Sequence, residues 1–373
     1  MKYYIIAGEA SGDLHASNLM KELNKRDAAA VFRCWGGDLM EEQGGTLVKH
    51  YRDLAFMGFL EVLLNIRTIL RNMRFCKKDI LAYKPDVLIL VDYPGFNLRI
   101  AKFTAEQGIR VFYYISPQVW AWKKSRVFKI KKYVERMFVI LPFEKDFYSK
   151  YDYEVDFVGH PLLDAIGAEA MDKDDSRALA GLDDRPVIAV LPGSRKQEIR
   201  KMLPVMLDMA GQFPDHQFVI AAAPSTPDQI YLDVIKDTDL KLVRGRMHEL
   251  LRISTAAMVT SGTATLETAL FRVPEVVCYK GGWISYLIAR RLVKDIEYIS
   301  LVNLIMDHEV VKELIQGDFN TKNLKKELSL LISDEAYRTK MLSELDALHN
   351  KLGGSGASEM AAQLMYRRLV NRE

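Results

Sequence analysis

Residues 3–13 read Tyr3-Tyr4-Ile5-Ile6-Ala7-Gly8-Glu9-Ala10-Ser11-Gly12-Asp13, and the amphipathic stretch Leu14–Lys25 follows them. A short apolar run, a glycine-containing turn and an amphipathic segment in this order are typical of a buried strand followed by a helix. The order recurs along the first half of the chain, with a second helical stretch at Leu60–Tyr83. The further strand candidates there are Val31–Trp35, Asp86–Val91, Arg110–Ile115 and Met137–Leu141. Strands that alternate with helices predict a parallel sheet covered on both faces.

The alternation pauses at about residues 160–185 and then starts again after Pro186. The strand candidates of the second half are Val187–Leu191, His216–Ala221, Leu240–Val243, Ala256–Val259 and Val276–Cys278. After residue 320 the chain is charged and helical in pattern, and we expect no further strand. We therefore predict two doubly wound α/β domains, residues 1–165 and 166–349, that face a central ligand cleft. A helical tail over residues 350–373 is expected to pack on the first domain or on a partner chain.

The composition argues against several classes of protein. Hydrophobic residues make up 49% and charged residues 27% of the chain, and the net charge of +3 is too small to indicate nucleic-acid binding. Three widely spaced cysteines, Cys34, Cys76 and Cys278, predict neither a disulfide framework nor a zinc site. The chain has no run of about 18 apolar residues, so we expect no membrane-spanning helix. We expect a cytoplasmic protein without a bound metal.

Two loops of the first half follow strands and carry chemistry. In Gly8–Asp13, the glycines and the start of a helix could receive an anion, although the loop is not a dinucleotide or P-loop motif. The alternative is a tight turn capped by Ser11 or Asp13. Asp92 follows the apolar strand Val87–Val91, where a carboxylate is well placed to act as a general base. The alternative for Asp92 is an Asx-turn or the cap of a helix near Asn97.

Two loops of the second half predict a bound nucleotide diphosphate. The loop Leu191-Pro192-Gly193-Ser194-Arg195 combines a glycine that permits close backbone approach with a guanidinium that matches phosphate geometry. The segment Ser261-Gly262-Thr263-Ala264-Thr265-Leu266-Glu267 leads from a strand into a helix, whose N-terminus can hold a phosphate. Glu267, about one turn further on, could bond vicinal ribose hydroxyls. Its alternative is a solvated helix residue.

Aromatic, apolar and basic residues also cluster in the first half. Ser116–Trp122 leads into a basic run over residues 123–136, and aromatic side chains beside cations could bind nucleic acid, an acidic lipid headgroup or a phosphorylated sugar. The cations Arg67, Arg71, Arg74 and Lys78 recur at helical spacing beside apolar residues 56–64. Such a pattern describes either a core with a solvated face or an interfacial membrane contact. His160, in Gly159-His160-Pro161, is interpreted as a structural residue between the domains.

These segments together resemble the lipid A disaccharide synthases, and the resemblance covers essentially the whole chain in order. It rests on the following segments: residues 8–13, 57–62, Asp92 with Phe96-Asn97, 116–122, 126–130, 141–145, 159–161, 191–195, 261–267 and 300–304. The resemblance implies a GT-B fold with two Rossmann-like domains, an acceptor- and membrane-facing first domain and a UDP-sugar-binding second domain. It also implies an inverting hexosyltransferase that is cytoplasmic, peripheral to the inner membrane and in contact with its phospholipid, and that needs no metal or other cofactor.

The reaction implied is transfer of 2,3-diacylglucosamine from UDP-2,3-diacylglucosamine to the 6-hydroxyl of 2,3-diacylglucosamine 1-phosphate, giving a β-1,6-linked disaccharide and UDP. Asp92 matches the family's proposed base, and Gly95 replaces a second acidic residue that some members carry. The UDP-binding residues implied are Gly193, Ser194, Arg195, Ser261, Gly262, Thr263, Glu267 and Asn303. Those implied for the acceptor or its lipid are Glu9, Ser11, Gly12, Asp13, Met57 and Phe59. The tail could also form a homodimer.

Two other functions remain open at the level of sequence. One is another UDP-sugar enzyme on the same architecture, such as a UDP-N-acetylglucosamine epimerase, which would act on a substrate without acyl chains. The other is a nucleotide-sugar-binding or membrane-surface protein without catalysis, which would bind UDP without turning over an acylated donor and acceptor.

Overall fold

A computed structural model describes the chain except for residues 54–65, 123, 169–180, 225, 237, 239, 282–296 and 372–373. The chain divides into two compact units. The first comprises Met1–Asp164 together with Leu352–Glu373, and the second comprises Ala165–Lys351.

The first unit is built on a parallel sheet of seven strands in the order β3-β2-β1-β4-β5-β6-β7. The strands are β1 Lys2–Ala7, β2 Val31–Gly36, β3 Thr46–His50, β4 Val87–Val91, β5 Arg110–Tyr114, β6 Arg136–Val139 and β7 Asp156–Phe157. Strand β4 is the aliphatic run Val-Leu-Ile-Leu-Val, and all five of its residues are buried because helices cover both faces of the sheet.

The second unit contains a parallel sheet of six strands in the order β10-β9-β8-β11-β12-β13. Its strands are β8 Val187–Leu191, β9 Gln217–Ala222, β10 Lys241–Arg244, β11 Ser254–Thr260, β12 Glu275–Tyr279 and β13 Lys312–Ile315. The order reverses direction beside β8 and β11, and similarly beside β1 and β4 in the first unit. Such reversals open a crevice at the carboxyl ends of the strands, where ligands of α/β proteins bind.

Helices connect the strands. In chain order they are α1 Ala10–Arg26, α2 Asp38–Glu42, α3 Ile66–Tyr83, α4 Pro94–Glu106, α5 Val119–Trp122, α6 Arg126–Tyr133, α7 Pro142–Ser149, α8 Leu162–Ala168, α9 Lys196–Leu207, α10 Asp228–Ile235, α11 Met247–Ile253, α12 Thr263–Leu270, α13 Leu301–Met306, α14 Thr321–Ser333, α15 Glu335–Lys351 and α16 Ala357–Asn371. Among the helices of the described residues, none has the length and apolar character needed to cross a membrane.

The C-terminal helix α16 belongs to the core of the first unit. Its residues Ala361, Ala362 and Met365 are buried in one hydrophobic cluster with Leu19 of α1 and other side chains. The carboxylate of Asp164 accepts hydrogen bonds from the amides of residues 356–358, at the start of α16. An acidic side chain at this point satisfies amides that have no partner within the helix.

The predicted α/β architecture is confirmed, and the differences lie at the edges of the sheets. Three strands escaped prediction: Thr46–His50, Asp156–Phe157 and Lys312–Ile315. Two of them form the two edges of the first sheet and the third forms one edge of the second. Edge strands are only partly buried, so their sequences lack the continuous apolar run by which inner strands are recognised.

Candidate active site

A cavity of about 440 Å³ opens at the carboxyl end of the second unit's sheet. It is formed by the loops after β8, β9, β10 and β11 and by the first turns of α11 and α12. The cavity brings together six residues predicted from sequence: Gly193, Ser194, Ser261, Gly262, Thr263 and Glu267. Its volume lies in the range of small-molecule sites.

The loop after β8 needs a glycine at position 193. Gly193 has a φ of +97°, and a Cβ built on it would lie 2.7 Å from Oε2 of Glu198. Its carbonyl accepts a 3.2 Å hydrogen bond from the hydroxyl of Tyr231. The backbone of this loop therefore runs close to the start of α9, and any side chain at 193 would be both strained and in collision.

Arg195 is the N-cap residue of α9, and its side chain is 74% exposed. Its guanidinium lies 3.2 Å from the carboxylate of Glu198, which also accepts a hydrogen bond from the Arg195 amide. Arg195 lies outside the cavity lining that the described residues form.

Glu267 is only 15% exposed and lines the cavity, so it does not behave as a solvated helix residue. Its Oε2 lies 2.9 Å from Nε2 of His248, which lines the same cavity. The His248 ring packs at 5.1 Å from the ring of Phe271. The carboxylate therefore has one oxygen engaged by the imidazole.

Asn303 is fully buried and contributes to the site through the backbone around it. Its Oδ1 accepts hydrogen bonds from the amides of Val310 and Val311, and its Nδ2 donates to the Val311 carbonyl and to Glu313. Glu313 also accepts from the amides of residues 299 and 300, and the Ile299 carbonyl accepts from the hydroxyl of Ser261. Asn303 thus lies outside the described cavity lining and holds the segment that contacts Ser261.

Several residues of the second unit's site escaped sequence reasoning, among them Glu198 and Glu249 of the cavity lining. His248 and Thr260 line the cavity, and Glu313 holds residues 299–303. The Thr260 hydroxyl is buried and has no hydrogen-bond partner among the described residues. Thr260 could have been found from its position at the carboxyl end of β11, and His248 from its place in the first turn of the helix that follows β10. Glu313 could not, because its edge strand was not predicted.

In the first unit, Asp92 ends the central strand β4 in a strained conformation. Asp92 and Tyr93 have φ values of +42° and +48°, in the left-handed region that non-glycine residues rarely adopt. The Asp92 carbonyl accepts hydrogen bonds from the side-chain amide of Asn97 and from the hydroxyl of Tyr113. The N-cap of α4 is Tyr93, so neither Asp92 nor Asn97 caps this helix.

The Asp92 carboxyl has the electrostatics of a base that works near neutral pH. Burial raises its pKa to about 6, the negative charge of Glu9 adds to the increase, and the Tyr93 amide opposes it. Gly8 lies directly against the Tyr93 ring, since a Cβ on it would be 2.3 Å from the ring. The loop after β1 and the loop after β4 are therefore neighbours, as their positions in the sheet require.

The predicted acceptor loop divides into exposed and structural residues. Glu9 is the N-cap of α1 and is half-buried, Ser11 is exposed and Gly12 is buried. Asp13 is 2% exposed, and its carboxylate accepts hydrogen bonds from the amides of residues 37, 39 and 40 at 2.7–3.2 Å. Asp13 therefore caps α2 rather than its own turn. Met57 and Phe59 lie outside the described residues.

His160 is buried in the first unit, where burial and the nearby His15 lower its pKa to about 3. Its Nδ1 accepts a 3.3 Å hydrogen bond from the Leu162 amide. A neutral imidazole with this partner serves the turn before α8. In the part of the chain that the structure describes, no group of three or more His, Cys, Asp or Glu residues could hold a metal ion.

Comparison with solved structures supports the fold. UDP-GlcNAc 2-epimerase from Neisseria meningitidis, solved bound to UDP-GlcNAc, matches with a TM-score of 0.71 at 14% identity, over 98% of this chain and 100% of that chain. The glycotransferase of kitacinnamycin matches with a TM-score of 0.66 at 14% identity, over 99% of both chains. At this identity the likeness establishes the architecture alone, and it confirms the predicted GT-B fold.

Sequence comparison extends over the whole chain. The lipid-A-disaccharide synthase of Syntrophus aciditrophicus is 42% identical, over 96% of this chain and 95% of its own length. The enzyme of the same name from Geobacter sulfurreducens is 38% identical over 98% and 96% of the two chains, and that of Coxiella burnetii is 35% identical over 97% of each. A model of the family described as lipid-A-disaccharide synthetase matches residues 3–365. The chain belongs to the lipid-A-disaccharide synthetase family.

Proposed function

We propose that this protein transfers 2,3-diacylglucosamine from UDP-2,3-diacylglucosamine to the 6-hydroxyl of 2,3-diacylglucosamine 1-phosphate, with release of UDP. The observation that carries the proposal is the geometry of Asp92, a half-buried carboxyl with a pKa of about 6 on a strained backbone at the end of β4. Family membership supplies the substrates. A base of this pKa is largely ionised at neutral pH and is still basic enough to accept a proton.

The UDP moiety is proposed to occupy the cavity of the second unit. Gly193 and Ser194 would lie along the diphosphate, and the N-terminal end of α12, over Ser261, Gly262 and Thr263, would receive its charge. Arg195 would exchange its contact with Glu198 for a bidentate contact with phosphate oxygens. Glu267 would accept hydrogen bonds from the ribose hydroxyls. Asn303 would act indirectly, through the segment that it holds beside Ser261.

The reaction itself would be a single inverting displacement. The oxygen of the acceptor 6-hydroxyl attacks C1 of the donor sugar, the bond from C1 to the diphosphate oxygen breaks, and the hydroxyl proton passes to Asp92. UDP leaves with the electron pair of the broken bond. Glu9, Ser11 and Gly12 are proposed to line the acceptor side, whereas Asp13 would support it by holding α2. Met57 and Phe59 are proposed to contact acyl chains.

The outward face of α3 supports a peripheral contact with phospholipid at the cytoplasmic side of the inner membrane. It carries the exposed apolar residues Ile66, Leu70, Phe75 and Leu81, which are 41–47% exposed. It also carries the exposed cations Arg67, Arg71, Arg74 and Lys78. Apolar side chains beside cations bind the surface of anionic membranes. We further propose that α16 mediates a homodimer, with Met360 and Val370 as exposed apolar contacts.

The deciding experiment is an assay of purified protein with both acylated substrates in detergent and EDTA, followed for UDP and disaccharide. We expect both products, and we expect Asp92→Ala to abolish them while UDP binding persists. Turnover of UDP-N-acetylglucosamine without an acylated acceptor would instead identify an epimerase. UDP binding without any turnover, even after metal is restored, would identify a UDP-binding protein without catalytic activity.

The membrane contact has its own test, which is sedimentation with vesicles of anionic or zwitterionic phospholipid. We expect binding to anionic vesicles that weakens at high salt, since charge attraction is screened by ions. The double change Arg71→Glu and Arg74→Glu is expected to abolish it. Vesicle binding that depends neither on the lipid charge nor on these two substitutions would contradict the proposed membrane contact of α3.

A further inference from the structure

Three carboxylates line the described part of the cavity, and each has a cationic or imidazole partner. Glu198 pairs with Arg195 at 3.2 Å, Glu249 pairs with Arg246 at 3.5 Å, and Glu267 pairs with His248 at 2.9 Å. Only the third pair has both members in the cavity lining. Both members are also well shielded, with side-chain exposures of 18% for His248 and 15% for Glu267.

The imidazole of His248 is held from two sides by one helix. Its Nε2 contacts Glu267 of α12, and its ring packs at 5.1 Å on Phe271, one turn further along at the end of that helix. A histidine side chain has two rotatable bonds, and this packing restricts both. The imidazole thus provides a fixed partner for a glutamate whose three rotatable bonds would otherwise leave its carboxylate loosely placed.

The hydrogen bond to His248 engages Oε2 of Glu267 and restrains the orientation of the carboxylate. Oε1 is then the oxygen that can accept from a ligand. A ribose presents two adjacent hydroxyl donors to such an acceptor, whereas a 2′-deoxyribose presents one. A carboxylate fixed in one orientation discriminates between them more sharply than a mobile one, because a mobile one can adapt to the remaining hydroxyl.

We propose that His248 is a positioning residue that orients Glu267 for the ribose, and that this pair makes the site selective for a ribonucleoside diphosphate over its 2′-deoxy analogue. The inference rests on the proposed occupation of the cavity by UDP and adds to it the residue that sets sugar selectivity. His248 itself acts through Glu267 and not on the reacting atoms.

The test is calorimetric titration of UDP and 2′-deoxy-UDP into the full-length protein and its variants. For the unaltered protein we expect a preference for UDP of roughly tenfold or more, the size of one charge-assisted hydrogen bond. His248→Leu is expected to reduce the preference to about twofold or less. The main cause would be weaker binding of UDP, because the oriented hydrogen-bond acceptor is lost. His248→Gln, which keeps a donor at a similar reach, is expected to restore most of it.

The matched control is His216→Leu. His216 belongs to the same unit and also lies beside a phenylalanine, Phe213, at 6.3 Å, but it lies outside the described cavity lining. Its replacement is expected to leave the preference unchanged. An unchanged preference in His248→Leu, or an equal loss of affinity for both nucleotides, would overturn the role given to His248. If the unaltered protein binds neither nucleotide, the assignment of the cavity to UDP is wrong. If the unaltered protein binds UDP and only the effect expected of His248→Leu is missing, the role of His248 is wrong and the assignment of the cavity to UDP is kept.

Discussion

The side-chain amide of Asn97 donates a 2.7 Å hydrogen bond to the main-chain carbonyl of Asp92. The same amide lies 3.2 Å from the carbonyl of Val91, so one buried side chain holds the two peptide units that follow β4. The Asp92 backbone is left-handed, a conformation that persists in a non-glycine residue only where its surroundings impose it. The direction of the Asp92 carboxylate therefore depends on Asn97.

Replacing Asn97 by alanine should lower kcat more than it changes KM. The Asp92 carbonyl loses one of its two side-chain donors, and a misdirected base costs about tenfold to a hundredfold in rate. Thermal unfolding should show that the free energy of unfolding falls by about 1–2 kcal/mol. Thr104→Val in the same helix is the control, because it alters another buried polar group of α4 and should leave kcat unchanged. Equal effects of both changes on kcat would argue against a positioning role for Asn97.

The rate should fall at acid pH as Asp92 takes up a proton. Burial and, secondarily, Glu9 raise the pKa of Asp92 to about 6, so kcat/KM is expected to decline as the pH drops through 6. Glu9→Gln removes one cause of the raised pKa and should move this acid limb to lower pH. A pH–rate profile of both proteins measures the shift. An acid limb that stays in place would exclude Glu9 as a source of the perturbation.

Asp92→Asn should inactivate the enzyme and stabilise its fold. The folded-state pKa of about 6 exceeds the unfolded value of 3.8, so ionisation of Asp92 costs stability as the pH rises through this interval. The variant escapes that cost, and its free energy of unfolding at pH 8 should be higher by up to about 3 kcal/mol. The difference should vanish below about pH 4. Urea titrations at pH 8 and pH 4 supply the comparison, and a variant that is less stable at pH 8 would refute it.

Gly193→Ala should damage UDP binding and stability together. The new Cβ would meet the carboxylate of Glu198 at 2.7 Å, so this side chain must move, and the backbone φ of +97° is strained for any residue other than glycine. We expect a loss of about 1–3 kcal/mol in stability and weaker binding of UDP by calorimetry. Gly211→Ala is the matched control in the same unit, because nothing lies within 4 Å of its added Cβ. Normal UDP affinity in Gly193→Ala would show that the loop does not contact the ligand.

Asp13→Ala should destabilise the first unit through a helix other than its own. The carboxylate caps α2 by accepting from three amides, and removing it leaves these donors buried without that partner. The free energy of unfolding is expected to fall by about 2–4 kcal/mol. Hydrogen exchange should show the amides of residues 37, 39 and 40 as the first to lose protection. If exchange increases only within α1, the capping role is wrong.

The inner strands of both sheets, their alternation with helices and the loops that carry the candidate residues can all be read from the sequence alone. These features are local, since a buried strand such as Val187–Leu191 is an apolar run and the loop after it has a recognisable composition. The order of motifs along the chain was enough to identify the family and, through it, the reaction.

Which of those residues line a cavity and which hold the fold follows only from the three-dimensional structure. Asp13 meets amides 24–27 positions away, and Glu267 meets a histidine 19 positions away. The side-chain amide of Asn303 forms hydrogen bonds with a turn and an edge strand that the sequence pattern did not predict. Hydrogen bonds of this kind depend on distance in space rather than on spacing in sequence. A side chain's chemistry is therefore readable from the sequence, but its partner becomes known only when the chain has folded.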